Sequence, residues 1–445
     1  MKVVVIGCTH AGTAFVVNAR RKYPDSDIVV YEKNNNVSFL SCGIALSVSK
    51  VVTNPENLFY NSPQNLTGMG IDMRMNHEVI NVDVDNKKLK VKNLITGEVF
   101  EDKYDKLVLT LGSWPIIPKF EGGDLDNILL CKNYDHAKRV IEKSRDAKNI
   151  AVIGAGYIGV ELAEAFEVQG KNTILIDAEE RIMSKYLDKE FTKIAEKEFT
   201  DREVNLKLGQ KVRRFEGSNG KVTKIITDKE TIEADLVILC IGFAPNTTLV
   251  REKIKTLKNG AIIIDEYMRT SAPDVFAAGD CCMVKYNPAY DDRYIPLATN
   301  AVRMGTLIAE NLLEPRLRYK GTQGTSGIKI YEQCIASTGM TEDVAKETTA
   351  MNIGSVLIRE NHRPEFMPTY SEAMIKLVYD KDTNRIIGGQ IISKQDLTQF
   401  MNTLSVVIQN NMTLEELAVT DFFFQPHFNK PWSLLNSVAL KALES

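Results

Sequence analysis

The residue best placed for covalent chemistry is Cys42, in the run Ser38-Phe39-Leu40-Ser41-Cys42-Gly43-Ile44-Ala45-Leu46, just ahead of a stretch with helical character. A thiol at a helix start faces free backbone N–H groups and the positive end of the helix dipole, which favours the thiolate and makes it nucleophilic near neutral pH. Residue type alone favours a plainer role, because cysteine is commonly a small buried core residue. The other cysteines, at 8, 131, 240, 281, 282 and 334, bring the total to seven, an odd count with no metal-type or paired spacing. That pattern predicts reduced thiols in a reducing compartment and no metal site. The adjacent Cys281 and Cys282 read as a packed strand end rather than a redox pair.

Two glycine fingerprints supply the other chemistry. The apolar run Ile150-Ala151-Val152-Ile153 enters Gly154-Ala155-Gly156-Tyr157-Ile158-Gly159, followed by a helical stretch to Gly170 and a second run, Thr173 to Ile176. In such a turn Gly154 permits the tight bend, Gly156 lets a pyrophosphate approach the backbone, and Gly159 lets helix and strand pack closely. Asp177 ends the second run, 23 residues after Gly154. A carboxylate there accepts hydrogen bonds from a ribose 2′-hydroxyl and repels a 2′-phosphate, which predicts NADH over NADPH. The earlier copy, Gly7-Cys8-Thr9-His10-Ala11-Gly12 after Val3 to Ile6, has Thr9 for the middle glycine and Glu32 in the acidic place after Ile28 to Tyr31. Taken alone it is the weaker site. The segment Thr270 to Asp280 strengthens it, since a strand ending Gly279-Asp280 offers a carboxylate suited to a ribityl hydroxyl.

These residues need elements to hold them. At 445 residues the chain exceeds what one hydrophobic core supports, so several domains are expected. Two further apolar segments, Lys106 to Gly112 and Leu236 to Gly242, each close on glycine with a proline soon after, and read as strands ending at domain crossings. A helical stretch is predicted near 298–313. From about Thr322 the character changes to strands, a hairpin around Asp380 to Asn384, an amphipathic helix near 395–410 and an aromatic tail. Net charge of −3 gives no reason to expect a nucleic-acid partner. The absence of a long apolar run or signal-peptide pattern predicts a cytoplasmic protein without a membrane span.

The opening VVVIGCTHAGT, then SFLSCG, GAGYIGVELAEAF, TSAPDVFAAGD, PLATNAVR and the tail FFFQPHFNKPW, taken in that order over the whole chain, resemble the NADH oxidase, NADH peroxidase and CoA-disulfide reductase group of flavoprotein pyridine-nucleotide-disulfide oxidoreductases. The resemblance implies an α/β fold of two Rossmann-like nucleotide-binding domains plus an α+β C-terminal dimerisation domain. The implied division is FAD-binding at 1–115 and 248–321, NAD-binding at 116–247, and an interface domain at 322–445. FAD would lie against Gly7, Thr9, His10, Ala11, Gly12, Glu32 and Cys42, then Thr110, Gly112, Ser113, Lys132, Asp280, Leu297, Ala298 and Thr299. NADH would lie against the second fingerprint with Ile158, Asp177, Tyr186, Gly242, Pro296 and Gly327. The Thr9 departure is shared by oxidases of the group. A homodimer is implied, with pairing into tetramers open.

Within that group the chain leans one way. Disulfide reductases of the wider superfamily carry a second cysteine five positions after the first; here that place is Ser47. Cys42 is therefore expected to cycle between thiolate and sulfenic acid, or a mixed disulfide with a small thiol. CoA-disulfide reductases carry a tyrosine in the tail where this chain has Phe424, which cannot donate a proton to a leaving thiolate. The tail, Arg363-Pro364-Glu365-Phe366-Met367 and the HAGT at 10–13 look more like water-forming NADH oxidases than peroxidases. The expected activity is four-electron reduction of dioxygen to water, an oxygen-detoxifying reaction, with NADH peroxidase and CoA-disulfide reductase as alternatives and a low-turnover redox-sensing flavoprotein as the different-class alternative. His10 is expected near the sulfur as a proton-transfer group, or else only as a hydrogen-bonding partner of the turn. His427 is expected at the dimer interface, with contact to the partner's active site the lesser possibility.

Overall fold

The computed structural model describes residues 1–444. Each fingerprint opens at the carboxyl end of the central strand of its own five-stranded, all-parallel sheet. In the first, the order is Val275–Ala277, Lys106–Leu109, Lys2–Ile6, Asp27–Glu32, Asp72–Met75. In the second it is Asn205–Lys207, Asn172–Ile176, Asn149–Ile153, Leu236–Leu239, Ile128–Leu130. The inner strands read as nearly unbroken apolar runs because both faces are covered, as in any parallel sheet whose crossovers lie on either side, while the edge strands Asp72–Met75 and Asn205–Lys207 do not. The central strand pairs with the next strand in sequence on one side and with a later return strand on the other. The crevice between those directions is where an open α/β sheet binds ligands.

The two turns are built alike. The amide of Gly7 donates to the carbonyl of Tyr31 at 2.9 Å, and that of Gly154 to the carbonyl of Ile176 at 2.8 Å. The helices that follow are His10–Lys22 and Tyr157–Val168. The segments predicted to end at crossings pair with each other, Phe243–Pro245 running antiparallel to Ser113–Pro115. Each sheet also carries an antiparallel meander that no sequence signal announced: His77–Asp83, Lys88–Asn93 and Val99–Lys103 beside the first, Val212–Ser218, Lys221–Thr227 and Thr231–Glu233 beside the second.

The cores show how the chain returns on itself. Val3 to Leu109 and Val250 to Leu312 contribute side chains to one cluster, with helix Ala298–Asn311 packed along helix His10–Lys22. A second cluster, built on Leu129 to Ile238, also takes in Phe39, Ile44, Val48 and Leu58 from around the thiol loop, and Ile328, Ile335 and Met374 from the last third. The Cys42 loop is thus gripped by three regions. The last third forms an antiparallel sheet in the order Ser326–Ile330, Gln333–Gly339, Ile386–Ser393, Glu372–Asp380, Ile353–Asn361. Helices Gln399–Gln409 and Leu434–Leu443 pack against it. The predicted hairpin and both predicted helices are present at the expected places. No helix among the described residues is long and apolar enough to cross a membrane.

Candidate active site

Two elongated cavities, of about 790 and 710 Å³, run along the two fingerprints. The first is lined by Gly7, Thr9, His10, Ala11, Glu32, Thr110, Gly112, Ser113, Lys132 and Asp280. The second is lined by Cys42, Gly154, Gly156, Ile158, Asp177, Tyr186, Gly242, Pro296, Leu297, Ala298 and Gly327. Four residues, His10, Ser41, Lys132 and Asp280, line both. The cavities therefore meet beside Cys42. Leu297 and Ala298, expected against FAD, face the second cavity; Thr299 is exposed and lines neither. Cys42 likewise opens to the second.

The glycine turns fit a dinucleotide. Gly154 has φ +104, a left-handed backbone that a side chain resists, and a Cβ there would meet the Cys240 carbonyl oxygen at 2.4 Å. A Cβ on Gly159 would stand 1.8 Å from the Gly154 carbonyl oxygen, so this glycine serves packing and touches no cavity, as does Gly12 in the first copy. At Gly156 a Cβ would meet nothing within 4 Å, leaving open space at a helix N-terminus for a phosphate. Asp177 accepts from the amides of Ala155 and Glu179, which fixes the carboxylate across the turn. In the first copy the Glu32 carboxylate accepts from the amides of Cys8 and Asn34, both at 2.9 Å.

Around the junction, Ser113 donates to Asp280 at 2.8 Å and Lys132 donates to the Ser113 hydroxyl at 3.0 Å and to Asp280 at 3.3 Å. His10 lines both cavities, and its Nε2 is buried without a hydrogen-bond partner. An orphaned ring nitrogen and a carboxylate–hydroxyl–ammonium cluster suit a flavin with its polar edges and ribityl hydroxyls. Burial pushes the His10 ring below its usual range, partly opposed by Asp280.

Cys42 is free and exposed, and it lines the second cavity. The thiol sits in a single 3-10 turn, Ser41–Gly43, ahead of helix Ile44–Val48. A helix of this length has a small dipole, and other influences prevail. The cavity walls push the thiol above its usual range, the Glu161 carboxylate adds to this, and Lys132 opposes. The expected thiolate stabilisation by the helix start is thus not the controlling influence in the protein alone. Glu161 itself is raised to about 7 by burial and by its neighbour Glu164.

Sequence reasoning passed over Glu161 and Tyr60. A signal existed for the first, since Glu161 is the lone acid inside the apolar stretch Ile158 to Ala163. Nothing marked Tyr60, which reaches His10 only because Phe59 bridges back to Phe39. Ser47, at the position of the missing second cysteine, is buried. Cys281 and Cys282 are buried 3.7 Å apart, with Cys281 donating to the carbonyls of Ala278 and Leu109. His427 lies on the exposed tail, outside both cavities of its own chain.

Comparison with known proteins agrees with this geometry. Residues 1–305 match the pyridine nucleotide-disulphide oxidoreductase family, and residues 326–434 match the dimerisation domain of the same family. The chain is 53% identical over 446 residues to an NADH oxidase of Enterococcus faecalis, covering 100% of both chains. It is 40% identical to an NADH oxidase of Streptococcus pneumoniae, covering 99% of each. Among solved structures, the water-forming NADH oxidase of Lactobacillus brevis, bound to NADH, superposes with a TM-score of 0.98 at 49% identity, covering 100% of this chain and 98% of that one.

Proposed function

The chain belongs to the pyridine nucleotide-disulphide oxidoreductase family, and from that premise we propose that it is a water-forming NADH oxidase that uses FAD and a single redox-active thiol, Cys42. The observation that carries this reading is the junction. A lone thiol, with serine in place of a second cysteine, opens beside the four residues common to both cavities. The full-length likeness to proteins named as NADH oxidases supports it.

FAD would be held by the first glycine turn, Glu32, Ser113, Lys132 and Asp280. NADH would be held by Gly156, Ile158, Asp177, Tyr186, Gly242 and Gly327. Bound there, FAD supplies a hydride acceptor for NADH and an electron donor to dioxygen. Cys42 then acts on the two-electron product: its thiolate attacks hydrogen peroxide, the O–O bond breaks, the sulfur keeps one oxygen as a sulfenic acid, and hydroxide leaves. His10, whose Nε2 is free of other partners, passes a proton to that departing oxygen and takes one back from solvent, which releases the first water and leaves the ring as it began. Two electrons and a proton from a second NADH return the sulfenic acid to thiolate and release the second water. The balance is one dioxygen, two NADH and two protons to two waters and two NAD⁺. Lys132 offsets the negative charge on the sulfur.

The tail supports a homodimer. Phe366, Phe423, Phe428 and Trp432 are 76%, 70%, 65% and 56% exposed. The segments that carry them are joined by Arg363 donating to the His427 carbonyl and by the Lys430–Glu365 ion pair. An apolar patch of this kind on a soluble fold marks an interface.

The test is Cys42→Ser. The variant should still bind flavin and oxidise NADH, but release hydrogen peroxide in place of water. A variant that makes as little peroxide as the parent removes the thiol from the reaction.

A further inference from the structure

His10 does not stand alone. Its Nδ1 lies 3.0 Å from the Tyr60 hydroxyl, and the two rings are stacked at 5.5 Å with 4° between their planes. Behind Tyr60 lies a buried set of small polar groups. Burial pushes the Tyr60 phenol up to about 12, partly opposed by the neighbouring Thr13 and Ser38 hydroxyls, so the phenol keeps its hydrogen. The Thr13 and Ser38 hydroxyls are 2.8 Å apart, and Thr13 lies 3.6 Å from the Cys8 sulfur and donates to the Cys8 carbonyl at 3.3 Å.

The backbone is distorted to make this set. Ser38 has φ +59 and no exposed surface. A non-glycine residue in the left-handed region persists only when its surroundings hold it there, and such residues cluster at working sites. The amide of Ser38 donates to the Cys8 carbonyl at 3.1 Å, and the amide of Tyr60 donates to the Ser38 carbonyl at 3.3 Å. The strained turn thus brings the serine hydroxyl against Thr13, beside the backbone that carries Tyr60.

Tyr60 has one hydrogen to give, so the direction at His10 follows from where that hydrogen can go. Burial holds the phenol in its protonated form, and Nδ1 of His10 is the acceptor within hydrogen-bond reach, at 3.0 Å. Tyr60 therefore gives to Nδ1. The opposite direction would have the ring donate from Nδ1 and leave Nε2 bare and the Tyr60 hydrogen without an acceptor.

We propose that Tyr60 is a positioning residue: it donates to Nδ1 of His10 and so holds the hydrogen on Nε2, at the junction of the two cavities. The device rests on the oxidase reading above, in which Nε2 must deliver a proton to a departing oxygen. It also accounts for the orphaned Nε2 at the junction, which is a donor waiting for a reactant oxygen.

The test has one readout independent of turnover. The FAD-loaded enzyme, ¹⁵N-labelled at histidine, has five histidines to resolve, and His10→Gln assigns the signal of interest. Solid-state ¹⁵N spectra should show His10 unprotonated at Nδ1 and protonated at Nε2 in the parent, and a mixture of tautomers in Tyr60→Phe. In turnover, kcat of Tyr60→Phe should fall about three- to tenfold, the share one such hydrogen bond contributes to a tautomer ratio, with KM for NADH unchanged. In the double variant Tyr60→Phe/His10→Gln the loss should equal that of His10→Gln alone. A parent spectrum with the proton on Nδ1, or double-variant losses that multiply, overturns the proposal. The parent spectrum needs no variant to fold, and neither arm depends on whether the product is water or peroxide.

Discussion

Replacing Asp177 with asparagine separates two effects of one carboxylate. Its two oxygens accept the Ala155 and Glu179 amides, and an asparagine, with one carbonyl oxygen, can serve only one of them. A hydrogen bond to a charged group contributes about 1.5–3 kcal/mol, so binding of NADH through its ribose should weaken by about ten- to a hundredfold in kcat/KM. For NADPH the charge matters more. Two unit charges about 6 Å apart at an effective dielectric constant of about 20 repel by about 3 kcal/mol, and each 1.36 kcal/mol is a factor of ten. Asp177 is half-buried, so salt screening reduces this figure only in part. Loss of that repulsion offsets the lost hydrogen bonds for NADPH, whose kcat/KM should stay level or rise. The assay is steady-state oxidation of each nucleotide by parent and variant. The NADH-to-NADPH ratio of kcat/KM should fall at least about a hundredfold; a ratio within about threefold of the parent would refute the assignment of Asp177 to the ribose.

Glu161→Gln removes a carboxylate that holds the Cys42 thiol up, so alkylation of Cys42 by iodoacetamide near neutral pH should quicken several-fold, and an unchanged rate would contradict the electrostatic reading. The same variant tests a pH dependence: with Glu161 moved from 4.5 to about 7 on folding, the folded protein keeps a proton that the unfolded chain has lost across that window. Stability is therefore lost as pH rises from about 4.5 to 7, and Glu161→Gln should flatten that slope in denaturant melts. Lys376→Met should destabilise by about 3–5 kcal/mol, seen as a lower unfolding midpoint, because Lys376 is 3% exposed and pairs with Asp188 at 3.1 Å and Glu342 at 2.7 Å. Phe428→Asp places a charge in the exposed aromatic patch and should yield monomers in sedimentation velocity; a dimer that persists would place the interface elsewhere.

The parts of the site that depend on backbone geometry were legible in the sequence. Gly154, Gly156 and Gly159 each do what a dinucleotide turn requires of them, and the turn around Gly7 repeats the plan despite Thr9, which caps the helix start from an exposed position. Cys42 was singled out by the resemblance carried in SFLSCG, since residue type alone favours a buried core cysteine; the structure opens it to the second cavity. The meanders at 77–103 and 212–233 were not legible, since their short strands mix exposed charges with isolated apolar residues and carry no uniform period. Tyr60 and Glu161 owe their importance to tertiary packing, which brings one to a ring 50 residues away and the other to a thiol on a different element. The direction of the Cys42 shift was likewise hidden, because it depends on how enclosed the cavity is and not on what precedes a helix.

The central claim is that Cys42 completes the reduction of dioxygen inside the protein. The most direct measurement is NADH consumed per dioxygen taken up by the flavin-loaded enzyme, with and without catalase. About two NADH per dioxygen, with no change on adding catalase, is the predicted result. A ratio near one, with oxygen returned when catalase is added, would contradict it.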